Sequence, residues 1–298
     1  MPTTAYLAAE GFEAELAHEL GSALLARHGR LFVAGGAARE PAWAANVWRD
    51  PREIEFHSIA DGAARLRAIQ RNWALYPHLH YRRARLIEAR LPYVSAKPLV
   101  FPEPPPAAPL GSWTLLAPGR MLAAPDCVSP VPNGEWRFAE DRLGPPNRAY
   151  LKLWEILTRI GHRPAAGERC LDLGASPGGW SHVLAGLGAQ VIAVDKAPLA
   201  PAVAAHANVE WRQGSAFATQ PAEVGPIDWL FSDVICYPPR LLALVRRWIA
   251  SGMVRHLVCT IKFQGETDHE TAASFAAIPG ARLMHLHANK HELTFVRL

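Results

Sequence analysis

From about residue 145 onward, apolar residues come in short runs separated by amphipathic stretches. "RCLDLG", "AQVIAVD", "VEWRQG", "IDWLFSD" and "VRHLVCTIKF" read as strands, and "NRAYLKLWEILTRIG", "PRLLALVRRWIASG" and "TAASFAAI" as helices. "RLMHLHA" and "HELTFVRL" predict two closing strands. Strands of this kind alternating with crossover helices predict an α/β fold with a mostly parallel, Rossmann-like sheet covered on both faces. Such sheets bind ligands at the carboxyl ends of their strands.

The first seventy residues have a different texture. "AYLAA" and "LFVAG" read as strands flanking an amphipathic helix over "GFEAELAHELGSALLARHG", and "EIEFHSI" leads into a helix at "DGAARLRAIQR". Strand signals recur at "SWTLL" and "RMLAAP". Between them "FPEPPPAAP", residues 101–109, excludes helix and predicts an extended spacer or exposed loop. The expected organisation is an N-terminal α+β domain over 1–125 and the Rossmann-like domain over 126–298.

A chain of 298 residues, half of them hydrophobic, can bury one large core or two modest ones, and the size prior favours two. Its four cysteines are widely spaced with no C-x-x-C pair, which argues against a disulfide framework or a zinc site and fits a reducing, cytoplasmic compartment. The N-terminus is acidic where a signal peptide is basic, and no apolar run suffices for a membrane span. Net charge is only +4, but residues 71–97 hold six Arg or Lys against one Glu, interleaved with Trp73, Tyr76 and Tyr81. That stretch reads either as a solvated helix face or as a surface for RNA.

The chemistry gathers around "LDLGASPGGW", residues 171–180. A loop with Gly174, Gly178 and Gly179 that follows a strand and opens a helix lets main-chain N–H groups approach a ligand closely. Asp195 ends the next strand, where a carboxylate can accept hydrogen bonds from a ribose diol. The glycine spacing is not G-x-G-x-x-G, which disfavours a nicotinamide oxidoreductase and points to S-adenosylmethionine.

"DLGASPGGW" resembles the cofactor motif of the FtsJ-like ribose 2′-O-methyltransferases, and its Trp180 ending is most similar to the bacterial M-type members, which modify a cytidine of large-subunit ribosomal RNA. The resemblance covers about residues 130–298. It implies a class I methyltransferase sheet, and it implies cofactor contacts from Asp172, Gly174, Ser176, Pro177, Gly178, Gly179, Trp180, Asp195 and Asp233. Where the family carries an acidic residue near the adenine, "RQGSAF" has Ser215. The family's K-D-K-E tetrad is matched in order by Lys152 in "LKL", Asp233 in "FSDV", Lys262 in "TIKF" and Glu292 in "HELT". The N-terminus resembles the start of a ferredoxin-like domain, followed by a shortened THUMP-related RNA-binding region over about 71–125. The implied partner is RNA, specifically 23S rRNA, with neither metal nor membrane involved.

A ribose hydroxyl attacks a methyl only if it is held in line and loses its proton as the bond forms. Lys262 is the candidate for that proton. A free lysine, with pKa about 10.4, is almost wholly charged at neutrality, so two roles stay open: a base, if its surroundings favour the neutral amine, or a charged stabiliser of the developing oxyanion. His285 and His287 share a face if "HLH" is a strand, but no Asp or Cys completes a metal set. The alternative from another class is a catalytically idle RNA-binding or ribosome-assembly factor that keeps the fold.

Overall fold

The computed structural model describes residues 2–298 and divides the chain into two compact units. The first comprises the chain up to Leu99 together with Glu103–Arg137; the second comprises Val100–Pro102 and Phe138–Leu298.

In the first unit the elements are β1 (Thr3–Ala8), α1 (Glu13–Leu20), β2 (Leu24–His28), β3 (Leu31–Gly35), β4 (Ala44–Arg49), β5 (Arg52–Glu55), α2 (Ile59–Ile69), β6 (Trp73–Leu75), α3 (Tyr81–Glu88), β7 (Gly111–Ala117), β8 (Arg120–Ala124) and β9 (Asp126–Cys127). They build two sheets, β2-β3-β1-β4-β9 and β5-β8-β7-β6. Read as β4-β1-β3-β2, the antiparallel core of the first sheet has the ferredoxin-like strand order, with α1 between β1 and β2. Bends and turns over residues 36–43 link β3 to β4, where a complete ferredoxin-like layer has a second helix. The helix expected over 11–29 stops at Leu20, because Gly21 turns to φ +54° and "LLARH" is taken up as a strand against β3. In the second sheet, α2 and α3 contribute Ala63, Leu66, Ala84 and Ile87 to a core with Trp73, Trp113, Leu115 and Met121. Ser58 caps α2 by accepting the Asp61 N–H at 3.1 Å. The unit runs past the expected boundary at residue 125 because β9 pairs with β4.

The second unit contains α4 (Tyr150–Ile160), β10 (Arg169–Leu173), α5 (Gly179–Gly186), β11 (Gln190–Asp195), α6 (Pro201–Ala204), β12 (Val209–Gln213), α7 (Pro221–Val224), β13 (Ile227–Ser232), α8 (Pro238–Ser251), β14 (Val254–Lys262), α9 (His269–Ala276), β15 (Ala281–Met284) and β16 (Glu292–Arg297). Its sheet runs β12-β11-β10-β13-β14-β16-β15, parallel from β12 to β14, with β16 antiparallel between β14 and β15. The strand order reverses between β10 and β13, and this switch point is where an open α/β sheet forms a crevice. The central strands are buried along nearly their whole length, as strands covered on both faces must be. No described helix is long and apolar enough to cross a membrane. The strand expected over "RLMHLHA" ends at Met284, so His285 and His287 do not share a strand face: His285 is buried, with Nε2 on the Lys290 carbonyl at 3.0 Å, and His287 is exposed.

Candidate active site

Strand register alone assembles the crevice. Leu173 at the end of β10 is level with Val194 of β11 and with Ser232 of β13, so Gly174 emerges between Asp195 on one side and Asp233 on the other. On the far side of β13, the β14–β16 ladder sets Lys262 opposite Glu292. A cavity of about 410 Å³ opens here, lined by Asp172, Gly174, Ser176, Gly179, Trp180, Asp195, Asp233 and Lys262 among others.

The loop that walls the cavity needs its glycines. Gly174 has φ +81°, and a Cβ there would lie 2.8 Å from Val234 Cβ. Gly178 has φ +111° and would press a Cβ to 2.9 Å from Val203 Cγ1, while a Cβ on Gly179 would run into Asn147 Oδ1. The Asp195 carboxylate fixes the loop's shape, accepting the Ser176 N–H at 3.0 Å and the Ala197 N–H at 2.9 Å. Beneath the loop, buried Asp172 accepts a hydrogen bond from Ser181 Oγ at 2.7 Å. Burial pushes its carboxyl up to about 7, the Ser181 hydrogen bond opposes that, and the nearby Asp233 and Asp195 charges add to it. Trp180 Nε1 donates to the Ala149 carbonyl at 2.8 Å and so ties the start of α5 to the start of α4.

Four charged side chains meet where Asp233 and Lys262 border the cavity. Lys152, in the first turn of α4, places Nζ 2.6 Å from Glu292 Oε1 and 3.3 Å from Asp233 Oδ1. Lys262 Nζ lies 3.0 Å from the same Asp233 oxygen and also donates to the Asp233 main-chain carbonyl. All four are largely withdrawn from solvent, with side chains between 7% and 19% exposed, so these pairs are poorly screened. Glu155, one turn beyond Lys152 on α4, is fully buried and holds the chain just before β16 in place. It pairs with Arg159 at 3.0 Å and accepts the His287 N–H at 2.8 Å; burial pushes its carboxyl up to about 7 despite these partners.

The structure thus brings Lys152, Asp233, Lys262 and Glu292 together, and sets Asp172, Gly174, Ser176, Gly179, Trp180 and Asp195 on the cavity wall. Pro177, Gly178 and Ser215 do not line it, and of the charged cluster only Asp233 and Lys262 do. Pro177 receives the Ala200 N–H on its carbonyl, and Ser215 closes the turn after β12 by accepting the Phe217 N–H at 3.3 Å on its hydroxyl. Besides Ala175 within the glycine loop, sequence reasoning passed over Asn147, Ala149, Val234 and Ile235, which also line the cavity. No residue type or spacing marks them; their place depends on where "PPNRA" and "DVIC" come to rest. Among the described residues no group of three or more His, Cys, Asp or Glu could hold a metal ion.

The family model described as FtsJ-like methyltransferase matches residues 145–271, a span holding the glycine loop and three of the four clustered charges. The match lies wholly within the second unit. Curated relatives of the chain share the name Ribosomal RNA large subunit methyltransferase M. The protein from Halorhodospira halophila is 35% identical over 157 residues, covering 50% of this chain and 46% of that one. The one from Azoarcus is 38% identical over 123 residues, covering 39% and 33%, and the one from Alkalilimnicola ehrlichii is 32% identical over 186 residues, covering 58% and 51%. The chain therefore spans a third to about half of the length of these relatives. The residues of the cavity fit S-adenosylmethionine on grounds of their own: a wall with glycines at Gly174 and Gly179, a carboxylate at the end of β11, and further carboxylates for a cationic ligand.

Proposed function

We propose that this chain is an S-adenosylmethionine-dependent RNA ribose 2′-O-methyltransferase acting on large-subunit ribosomal RNA in the cytoplasm, with the first unit binding RNA. The observation that carries the reading is the ion-paired cluster Lys152–Asp233–Lys262–Glu292 at the end of a glycine-walled cavity.

When bound, the cofactor supplies an electrophilic methyl. The residues of the chain do the rest. Asp195 and the 174–179 loop hold the cofactor, with the Asp195 carboxylate accepting from its ribose and Asp172 offering negative charge. Lys262, oriented by Asp233, meets the ribose hydroxyl of the RNA. There the neutral amine takes the hydroxyl proton or, if charged, the ammonium stabilises the oxygen while the proton passes to solvent water. Lys152 keeps both acids in register, since without it the buried Glu292 carboxylate would lose its ammonium partner at 2.6 Å and Asp233 one of its two. Pre-set orientation of this kind can supply a large part of a rate enhancement.

The direct test is incubation of the protein with methyl-labelled S-adenosylmethionine and unmodified total RNA, then alkaline hydrolysis. Label in an alkali-resistant dinucleotide that maps to large-subunit rRNA is the expected result. Label confined to a base, or no transfer to any RNA, overturns the proposal.

A further inference from the structure

Beyond Asp233, burial alternates along the chain: Ile235 is 77% exposed, Cys236 is buried, and Tyr237 is 65% exposed. Ile235 and Tyr237 thus both reach solvent, two residues apart, with the buried Cys236 between them. Ile235 lines the same cavity as Asp233 and Lys262. Tyr237, exposed two residues beyond Ile235, lies next to that lip of the cavity in the chain and adds an aromatic ring to the apolar Ile235. One turn further on, Arg240 is exposed, forms no ion pair with a carboxylate among the described residues, and lies with Cζ 3.9 Å over the Phe217 ring. Burial pushes the Cys236 thiol up, and the Arg240 and Lys262 charges oppose that, as two cations near one short stretch of chain do.

We infer that Ile235 and Tyr237 form the platform on which the base of the target nucleotide stacks, with Arg240 meeting a neighbouring phosphate. This rests on the proposed ribose methylation. The ribose carbon that bears the 2′-hydroxyl is bonded to the carbon that bears the base. A hydroxyl held at Lys262 and Asp233 therefore brings a flat heterocycle against whatever borders those two residues. An aliphatic side chain and an aromatic ring beside a cation match a base and its phosphate, and stacking on an aromatic face is a general mode of single-stranded RNA recognition. The platform is complete within the second unit.

The test compares the parent with Tyr237→Ala and Tyr237→Phe on unmodified large-subunit rRNA, and measures S-adenosylmethionine affinity by calorimetry. Tyr237→Ala is expected to raise KM for RNA about tenfold, the loss of one base stack, with kcat within about twofold, cofactor affinity unchanged and Tyr237→Phe equal to the parent. A parental KM in Tyr237→Ala overturns the platform, as does a matching loss of cofactor affinity, which would make Tyr237 merely structural. A parent that transfers no methyl to RNA overturns the function itself and this assignment with it; a methylating parent that Tyr237→Ala matches overturns only the platform.

Discussion

Lys152 holds Glu292 at 2.6 Å although 140 residues separate them, and the same ammonium reaches Asp233. One cation thus bridges two carboxylates, one just past the end of β13 and one at the start of β16, and Lys262 completes the set from β14, the strand between them. The cluster is a unit, so removing a member leaves its partners miscompensated as well as removing a contact.

Lys262→Ala is expected to lower turnover by about a hundredfold or more while leaving cofactor affinity near that of the parent, since a group acting on the transferring proton matters chiefly in the transition state. Lys262→Arg keeps the charge but cannot serve as a base. Single-turnover methylation decides between the two roles: an inactive arginine variant makes Lys262 the base, and an active one makes it a stabiliser. Near-parental transfer by Lys262→Ala would remove the residue from the mechanism.

Asp195→Ala should weaken S-adenosylmethionine binding by about 1–3 kcal/mol through loss of a charge-assisted hydrogen bond. Because the carboxylate also anchors the Ser176 and Ala197 N–H groups, the alanine variant should loosen the loop, and Asp195→Asn should recover part of the loss. Calorimetry on both variants checks this; equal affinity in all three proteins would mean that the cofactor does not depend on Asp195.

Asp172 makes stability depend on pH. Its carboxyl sits at about 7 against an ordinary value of 3.8, so the native chain holds a proton that the unfolded chain gives up near pH 4. The stabilisation is complete below about pH 4 and is lost as the pH climbs through 7. Asp172→Asn, which can still accept the Ser181 hydrogen bond, should melt above the parent at pH 8, by roughly 2–4 °C per kcal/mol of relieved charge burial, with the gain shrinking toward pH 4. The same variant should bind the cationic cofactor more weakly. Melting curves at several pH values that differ from the parent by a constant offset would rule this out.

In the basic segment, Trp73 and Tyr76 belong to the core, whereas Tyr81 and Tyr93 are exposed. Arg83 lies with Cζ 5.5 Å from the centroid of the Phe56 ring and so helps to cover the core, while Arg82 and Arg85 face solvent. Arg82→Glu combined with Arg85→Glu should therefore weaken RNA binding and flatten its salt dependence by about one unit of slope per lost phosphate contact, with cofactor affinity intact. RNA titrations across a salt series, with circular dichroism as the control for folding, supply the measurement. An unchanged slope would return the segment to a solvated surface.

Much of the second unit was legible in the linear chain because its signals are local. A buried parallel strand must be apolar along its length, and a loop that approaches a ligand must lack side chains, so "RCLDLG", "IDWLFSD" and "GASPGG" announced themselves. The four tetrad positions were legible only through resemblance to a family. Their meeting point depends on register, with Leu173 level with both Val194 and Ser232 and Lys262 opposite Glu292, and register is a property of paired strands rather than of one segment. The first unit was harder to read for the same reason. "LLARH" continues the amphipathic pattern of α1 and becomes a strand only because β3 is available to pair with it, and Trp73 and Tyr76 looked like an aromatic surface until two layers closed over them. Sequence by itself determined which segments could be strands, helices and ligand loops, since sterics and hydrophobic period act over a few residues. Tertiary structure alone decided which side chains share a cavity, because burial and charge pairing are settled between segments far apart in the chain.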